Sequence, residues 1–241
     1  PFEPPYMEAA GMACDFVGHP VVAEPVASPE QAAAFRAEHE LGGGPLVLML
    51  PGSRRSEVAR LGPVFQQVAA RLAQARPDLR IVIPAAAAVA QDVKHLAHNW
   101  PIAPIVLDPR DMALGQAAQT KRAAFRAADV ALAASGTVSL ELAAADTPMV
   151  IAYDMSWLSR QIIGRMVKVE TVTLVNLVSE TRAVPEFIGA NCRPGPITQS
   201  VLEVLAAPEA QRDALAATMQ RLGRGGEAPG RRAARAVLDR M

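Results

Sequence analysis

The sequence predicts a doubly wound α/β domain, in which helices cover both faces of a parallel sheet. Short apolar runs of strand length, such as residues 46–50 and 130–134, alternate with segments of helical periodicity. Hydrophobic residues make up 51% of the 241 residues, which is enough for a sizeable core. Two glycine turns, at Gly52 and Gly136, directly follow apolar runs. Ligands of such sheets bind at the carboxyl ends of the strands, so both turns are candidates for one site.

The amino-terminal half begins irregularly and then alternates between strands and helices. Residues 1–28 are rich in proline, hold one strand-like piece at 15–18, and are typical of a connector between domains. The clearest helix follows the Gly52 turn, ends near Arg76, and carries an apolar stripe of Val58, Leu61, Phe65, Val68 and Leu72. The other elements predicted here are helices at 29–40, 87–98 and 119–127 and strands at 46–50, 81–83 and 105–107.

The carboxyl-terminal half predicts two more buried strands and then mainly helices. The elements are strands at 130–134 and 149–152, helices at 138–145 and 156–167, a strand or extended piece at 171–175, and helices at 196–206, 208–222 and 230–240. The domain prediction has three parts: a connector at 1–28, a nucleotide-binding domain at 29–225 and a C-terminal helix at 226–241.

Charge and cysteine content exclude several classes of protein. Lysine plus arginine (24) equals aspartate plus glutamate (24), so nothing in the charge balance indicates a nucleic-acid partner. The acidic start and the basic end of the chain are interpreted as solvated faces, with contact between them, within the fold or across a dimer, as the alternative. Cys14 and Cys192 lack metal-ligand spacing, which predicts a reduced, cytoplasmic protein. The chain opens at Pro1 rather than methionine, so we expect it to be part of a longer protein.

The turn at Ser135, Gly136 and Thr137 is the most informative stretch. It joins an apolar strand to a helix, and N–H groups at a helix N-terminus attract anions, while glycine lets a phosphate approach the main chain. Glu141 lies one helical turn further on, where a carboxylate could accept hydrogen bonds from two sugar hydroxyls. The alternative is that Ser135 or Thr137 is an ordinary N-cap and Glu141 a solvated helix residue.

Several ordered motifs together resemble the lipid-A-disaccharide synthase family. They are LPGSRRSEVARLGPVF (50–65), ASGTVSLELAAADTPMVIAY (134–153) and RMVKVETVTLVNLV (165–178), with PFEPP at the start and FVGHP at 16–20. The resemblance covers nearly the whole chain. It implies the GT-B architecture, two Rossmann-like domains facing across a cleft, with this chain as the carboxyl-terminal, donor-binding domain followed by extra helices.

The resemblance also implies a reaction. The enzyme would transfer 2,3-diacylglucosamine from its UDP donor to lipid X (2,3-diacylglucosamine 1-phosphate), giving the lipid A disaccharide and UDP, with inversion and without metal or cofactor. The family's amino-terminal domain, with its expected general base, is absent from this sequence, so no catalytic residue is assigned. We therefore expect these 241 residues to bind UDP without turnover. The alternatives are a non-catalytic UDP-sugar or phosphate-binding domain, or another GT-B UDP-sugar transferase or epimerase.

The residues predicted to bind the diphosphate come from both turns. Arg54 can offer a bidentate guanidinium to phosphate oxygens, with Gly52, Ser53 and Arg55 beside it. A purely structural role for Arg54 is less attractive, because a cation at a helix start opposes the helix dipole. On the second turn, Ser135, Gly136 and Thr137 supply N–H and hydroxyl groups to the leaving UDP.

Three further residues are predicted around the nucleotide. By resemblance, Glu141 holds the ribose, as the carboxylate of GT-B nucleotide-sugar enzymes does. Tyr153 either lines the uracil pocket or belongs to the core. Asn176 is an amide within an apolar run, so it is either a structural hydrogen-bonder or a donor contact. For this residue the resemblance includes contact across a homodimer with exchanged C-terminal segments.

The segment 156–167 bears on localisation. Its apolar residues gather on one helical face with Arg160 and Lys168 away from it, and we favour core packing over contact with an anionic membrane. The protein is thus predicted to be cytoplasmic, with peripheral contact with the inner membrane as the alternative.

Overall fold

The computed structural model describes residues 1–154 and 171–240. The predicted helix at 156–167 and its apolar face lie outside the described residues, as do residues 165–170 of the third motif. Within the described residues, no helix is both long enough and apolar enough to cross a membrane.

Six parallel strands form one sheet. They are β1 (Leu46–Leu50), β2 (Arg80–Pro84), β3 (Ile105–Leu107), β4 (Val130–Ala134), β5 (Met149–Tyr153) and β6 (Glu186–Ile188). Their order is β3-β2-β1-β4-β5-β6, and every neighbouring pair is parallel. All five residues of β1 and of β4 are buried, which explains why these strands are continuous apolar runs. The order reverses between β1 and β4, where Leu50 lies opposite Ala133. The doubly wound prediction is confirmed.

Helices cover both faces of the sheet. The α-helices of the described residues, not all of which touch the sheet, are α1 (Pro4–Ala9), α2 (Pro29–Glu38), α3 (Arg55–Ala75), α4 (Ala90–His98), α5 (Gln116–Ala127), α6 (Val138–Ala144), α7 (Leu174–Ser179), α8 (Pro194–Ala206), α9 (Glu209–Arg221) and α10 (Pro229–Leu238). One core contains Phe65 of α3 and Val201 of α8, and the other contains Phe125 of α5 and Leu215 of α9. The predicted stripe on α3 is buried throughout, as its periodicity requires.

The prediction of a strand or extended piece at 171–175 is wrong at its second half. Residues 171–173 have no regular structure and α7 begins at Leu174. The physical reason lies in Glu186, whose Oε1 accepts hydrogen bonds from the backbone N–H groups of Val172 (3.0 Å) and Thr173 (2.6 Å). A side chain therefore satisfies backbone donors that would otherwise need a neighbouring strand.

The connector is fixed by the other end of the chain rather than by a strand at 15–18, which does not form. Arg232 of α10 donates to the Phe16 carbonyl oxygen at 2.8 Å and lies over the Phe16 ring, 5.7 Å from its centroid. Arg240 forms an ion pair with Asp15 at 2.8 Å. The acidic start and the basic end thus meet, at least at this ion pair, instead of being only solvated. The domain boundaries stay a prediction.

Candidate functional site

A cavity of about 440 Å³ opens where the strand order reverses. It lies at the carboxyl ends of β1 and β4, the position at which open α/β sheets bind their ligands. Its walls contain both glycine turns and Glu141, the helix residue that is predicted to bind the ribose. The predicted residues that line it are Gly52, Ser53, Arg54, Ser135, Gly136, Thr137 and Glu141. The two turns therefore converge on one space.

The first turn leaves β1 and leads into α3. Gly52 has φ +120°, a conformation that L side chains rarely adopt. A Cβ at Gly52 would lie 2.5 Å from the Cβ of Glu57, so the glycine allows the side chain of Glu57 to pack against the turn. Arg54 precedes the first residue of α3, and its side chain is 77% exposed at the mouth of the cavity.

Glu57 binds this turn and was missed by the sequence analysis. Its Oε2 accepts the backbone N–H of Ser53 at 2.9 Å and that of Arg54 at 3.2 Å, and its Oε1 accepts Nη1 of Arg54 at 2.7 Å. Burial by itself raises the pKa of Glu57, but these hydrogen bonds outweigh it and the pKa lies below its usual value. The carboxylate also offsets the unfavourable cation at the helix start. A glutamate three residues after the turn, where it can reach back to free N–H groups, was the available sequence signal.

The second turn leaves β4 and leads into α6. Thr137 is the residue before α6, but its side chain makes no capping hydrogen bond; Ser139 instead donates to the Gly136 carbonyl oxygen at 2.8 Å. The N-cap alternative is therefore wrong for the Thr137 side chain. A Cβ built on Gly136 would meet nothing within 4 Å. This side of the cavity presents main chain and small hydroxyl groups to an open space.

Glu141 is paired with a residue that the sequence analysis did not single out. Nζ of Lys121 lies 2.5 Å from its Oε2 and 5.2 Å from the centroid of the Phe125 ring. Both side chains are partly exposed and line the cavity. Lys121 lies on α5, and only the fold brings it to Glu141, so no local pattern could have revealed it. Glu141 is thus more than a solvated helix residue, since it faces the cavity within an ion pair.

Arg55, Tyr153 and Asn176 are not among the residues that line the cavity. Nε of Arg55 lies 3.4 Å from Asp92 in an exposed ion pair. Tyr153 ends β5, half-buried and opposite Ile188 of β6. The Asn176 amide is buried: its Nδ2 donates to the Val184 carbonyl oxygen (2.8 Å) and to Thr171 (3.3 Å), and its Oδ1 accepts the Val184 N–H (3.0 Å). The structural alternative accounts for these contacts of Asn176.

Two smaller hollows adjoin the cavity. One shares Pro84, Ala85, Ala86 and Lys121 with it and continues to Met112 and Ala118. The other shares Lys121, Phe125 and Glu141 with it and is also lined by residues 24–27 of the connector and by Arg122. Both hollows expose more apolar than polar surface, Lys121 lines all three spaces, and Arg54 lines only the cavity. A ligand with a charged centre and a flat apolar end fits this combination.

No cluster of three histidine, cysteine, aspartate or glutamate side chains suited to a metal ion occurs in residues 1–154 and 171–240. The two carboxylates of the cavity, Glu57 and Glu141, are paired with cations instead. The positive groups of the cavity are therefore side chains and backbone N–H groups of the chain itself, and the metal-free prediction stays a prediction.

Comparison with protein families gives one match that spans most of the chain. A family model described as "Lipid-A-disaccharide synthetase" matches residues 1–237. A lipid-A-disaccharide synthase of Ruegeria pomeroyi is 59% identical over 241 residues, covering 100% of this chain and 60% of the relative. One of Rhodospirillum centenum is 42% identical, covering 99% of this chain and 58% of the relative. The chain thus spans about 60% of the length of these relatives.

Solved structures share the fold at low sequence identity. The structure of Anabaena HepE in complex with UDP-glucose has a TM-score of 0.58 at 14% identity, covering 92% of this chain and 56% of that one. The structure of WaaG, a glycosyltransferase involved in lipopolysaccharide biosynthesis, has a TM-score of 0.54 at 10% identity, covering 85% of this chain and 50% of that one. The predicted architecture, a Rossmann-like sheet of the kind found in GT-B glycosyltransferases, is confirmed.

Proposed function

This chain belongs to the lipid-A-disaccharide synthetase family, and we propose that it is the part of a glycosyltransferase that binds the UDP-sugar donor. The complete enzyme would transfer 2,3-diacylglucosamine from UDP to lipid X, forming the lipid A disaccharide and releasing UDP. The observation that carries the proposal is that the turns of Arg54 and Gly136 converge on one cavity at the carboxyl ends of two adjacent strands.

The diphosphate would lie between the two turns. As the glycosidic bond to UDP breaks, negative charge grows on the diphosphate, and fixed donors in a partly dry site stabilise it well. The Arg54 guanidinium is suited to a phosphate oxygen pair, and Lys121 adds a second positive charge across the cavity. The open space beside Gly136 lets a phosphate approach the main chain.

The nucleoside would extend from the diphosphate past Glu141. A carboxylate at this position can accept hydrogen bonds from two ribose hydroxyls, while the hydrogen bond from Lys121 orients it. The apolar hollow bounded by Pro84, Ala86 and Met112 is continuous with the cavity, and it would accept the flat base. In this arrangement Tyr153 has no contact with the base, which departs from its predicted role.

The general base is assigned to no residue of this chain. The carboxylates in the cavity are engaged by Arg54 and Lys121, and the acceptor lipid has no proposed site here. We therefore propose that the isolated chain binds UDP, needs no metal or cofactor to do so, and does not turn over. Turnover by these 241 residues alone would contradict this.

Calorimetric titration with UDP, UDP-N-acetylglucosamine and ADP tests the proposal. Preference for the uridine nucleotides supports it; equal binding of ADP would favour a general phosphate-binding domain, and no binding of any nucleotide would reject a donor site. Glu141→Ala should abolish UDP binding while circular dichroism remains unchanged. Glu203→Ala, which removes an exposed carboxylate from α8, is the matched control and should bind UDP as the unchanged protein does.

Localisation and dimerisation are further parts of the proposal. The protein would act in the cytoplasm, with peripheral contact with the inner membrane as the alternative, and would form a homodimer with exchanged C-terminal segments. Co-sedimentation with anionic liposomes tests membrane contact. Co-sedimentation that persists after serine replaces the apolar residues of the segment 156–167 would argue against a membrane role of that segment. Light scattering tests dimerisation, and a monomer at all concentrations would reject it.

A further inference from the structure

The cavity contains one carboxylate, Glu57, that the proposed donor site does not use. Its side chain is 18% exposed, whereas that of its partner Arg54 is 77% exposed. An arginine that projects so far into solvent loses much side-chain entropy when it binds a ligand. Glu57 reduces that loss, because its Oε1 already holds Nη1 of Arg54 at 2.7 Å.

Glu57 also holds the main chain of the same turn. Its second oxygen accepts the N–H groups of both Ser53 and Arg54, and its Cβ and Oε2 occupy the space next to Gly52 that a Cβ there would need. One side chain therefore fixes the backbone direction at Arg54 as well as the direction of its guanidinium group.

We propose that Glu57 is a positioning residue that presets the turn at 52–54 and presents Arg54 to the donor diphosphate. This inference rests on the proposed function. Arginine has five N–H donors in a rigid fork, so a bond from Nη1 to Glu57 leaves Nε and Nη2 for phosphate oxygens. Glu57 touches no substrate in this scheme and acts through Arg54.

In a competing arrangement, Glu57 would weaken nucleotide binding instead of strengthening it. The three donors that Glu57 engages are also donors that a phosphate could use, so Glu57 could instead be an internal competitor that the ligand must displace. Removing a competitor strengthens binding, whereas removing a positioning group weakens it. The close packing of Glu57 against Gly52 favours a side chain that stays in place when the ligand binds.

Calorimetric titration of the whole chain with UDP distinguishes the two. We expect Glu57→Ala to weaken UDP binding about tenfold, and Glu57→Gln, whose amide oxygen still accepts the backbone N–H groups, to weaken it about threefold. Asp92→Ala is the matched control, because it removes the partner of the neighbouring Arg55 in an exposed ion pair and should leave UDP affinity unchanged.

A double-mutant cycle with Arg54→Ala separates positioning from a general effect on the fold. If Glu57 acts through Arg54, Glu57→Gln should have almost no effect on UDP binding once Arg54 is alanine. A full effect in that background, or unchanged or tighter binding by Glu57→Gln alone, would overturn the inference while leaving the donor site intact.

If the unchanged protein fails to bind UDP, the proposed function fails and this inference with it. Since Glu57→Gln retains the backbone contacts, it carries the test if Glu57→Ala does not fold.

Discussion

The side chain of Gln211 completes the hydrogen bonding of Met149 at the start of β5. Its Oε1 accepts the Met149 N–H at 2.8 Å, and its Nε2 donates to the Met149 carbonyl oxygen at 2.9 Å. The pairing of β6 with β5 begins only at Ile151, so Gln211 substitutes for a strand that does not reach Met149. It also fastens α9 to the sheet, and Gln211 is itself only 4% exposed.

Gln211→Leu should therefore lower the free energy of unfolding strongly. The substitution leaves a buried N–H and a buried carbonyl of Met149 without partners, which costs about 2–4 kcal/mol. Urea-induced unfolding followed by circular dichroism measures it. Gln199→Leu on α8, where the glutamine is exposed and bonded to Glu203, is the control and should change little. Equal unfolding midpoints for the two variants would contradict this role of Gln211.

Gly44 and the adjacent Gly43 form a matched pair for a second stability test. A Cβ on Gly44 would lie 2.1 Å from the backbone carbonyl oxygen of Asp78, whereas a Cβ on Gly43 would meet nothing within 4 Å. Because backbone must move to relieve the contact, Gly44→Ala should lower the free energy of unfolding by about 1–3 kcal/mol. Gly43→Ala should leave it unchanged or raise it slightly by restricting the unfolded chain. Thermal unfolding measures the stability of both variants. Similar melting temperatures would contradict a steric contact between a Cβ at position 44 and the Asp78 carbonyl oxygen.

Asp108 should make stability depend on pH in acid. The residue is 2% exposed, and its carboxylate accepts hydrogen bonds from Arg110 and from Lys94, with O···N distances of 2.6 Å and 2.8 Å. Arg110 chiefly, together with Lys94, holds the pKa of Asp108 far below its usual value. In the unfolded chain an aspartate titrates near pH 4, so the stabilisation is complete above about that pH and is lost as the pH falls towards the lower pKa of the folded state.

Asp108→Asn should thus be less stable than the unchanged protein at neutral pH and lose less stability on acidification. Urea midpoints at about pH 7 and about pH 3 measure the difference. Asp111→Asn, which removes a more exposed carboxylate from the same lysine, is the control and should follow the unchanged protein. An identical acid dependence for Asp108→Asn would refute the assignment.

Lys121 should contribute to nucleotide binding although no local sequence signal identifies it. Lys121→Met removes a cation from the cavity and leaves the Glu141 carboxylate to repel the diphosphate, so we expect UDP affinity to fall about three- to tenfold. The salt dependence of binding should also become shallower, because one charge contact is lost. Calorimetry at two ionic strengths measures both. Arg122→Met removes a neighbouring charge that does not line the cavity, and a similar loss in that variant would argue against a direct role of Lys121.

Much of the fold could be predicted because β1 and β4 are continuous apolar runs and α3 has a regular stripe. These signals are local and strong. The three-residue β6 was missed, since its residues are only half-buried and its Glu186 reads as polar. Likewise, the first two residues of α7, Leu174 and Val175, were predicted to be strand or extended, because Thr171, Thr173 and Val175 are β-branched and favour β-structure.

The candidate site divides in the same way. Gly52, Arg54 and Gly136 could be predicted, because glycine turns after buried strands carry a local pattern. Lys121 could not, because its partner Glu141 is reached only through the packing of α5 beside α6. For Asn176, the need for hydrogen-bond partners could be predicted, because a buried amide requires them. The partners themselves, Val184 and Thr171, could not, because the fold brings them to the amide.

The adjacency of β1 and β4 links the site to the integrity of the sheet. Leu50 and Ala133 are register partners although β2 and β3 lie between them in the chain, so the two turns are neighbours only in the assembled sheet. The proposed nucleotide, held between the two turns, would bind only the assembled protein and by mass action would raise its melting temperature. Nucleotide binding would then report native tertiary structure directly, because secondary structure alone could not produce it.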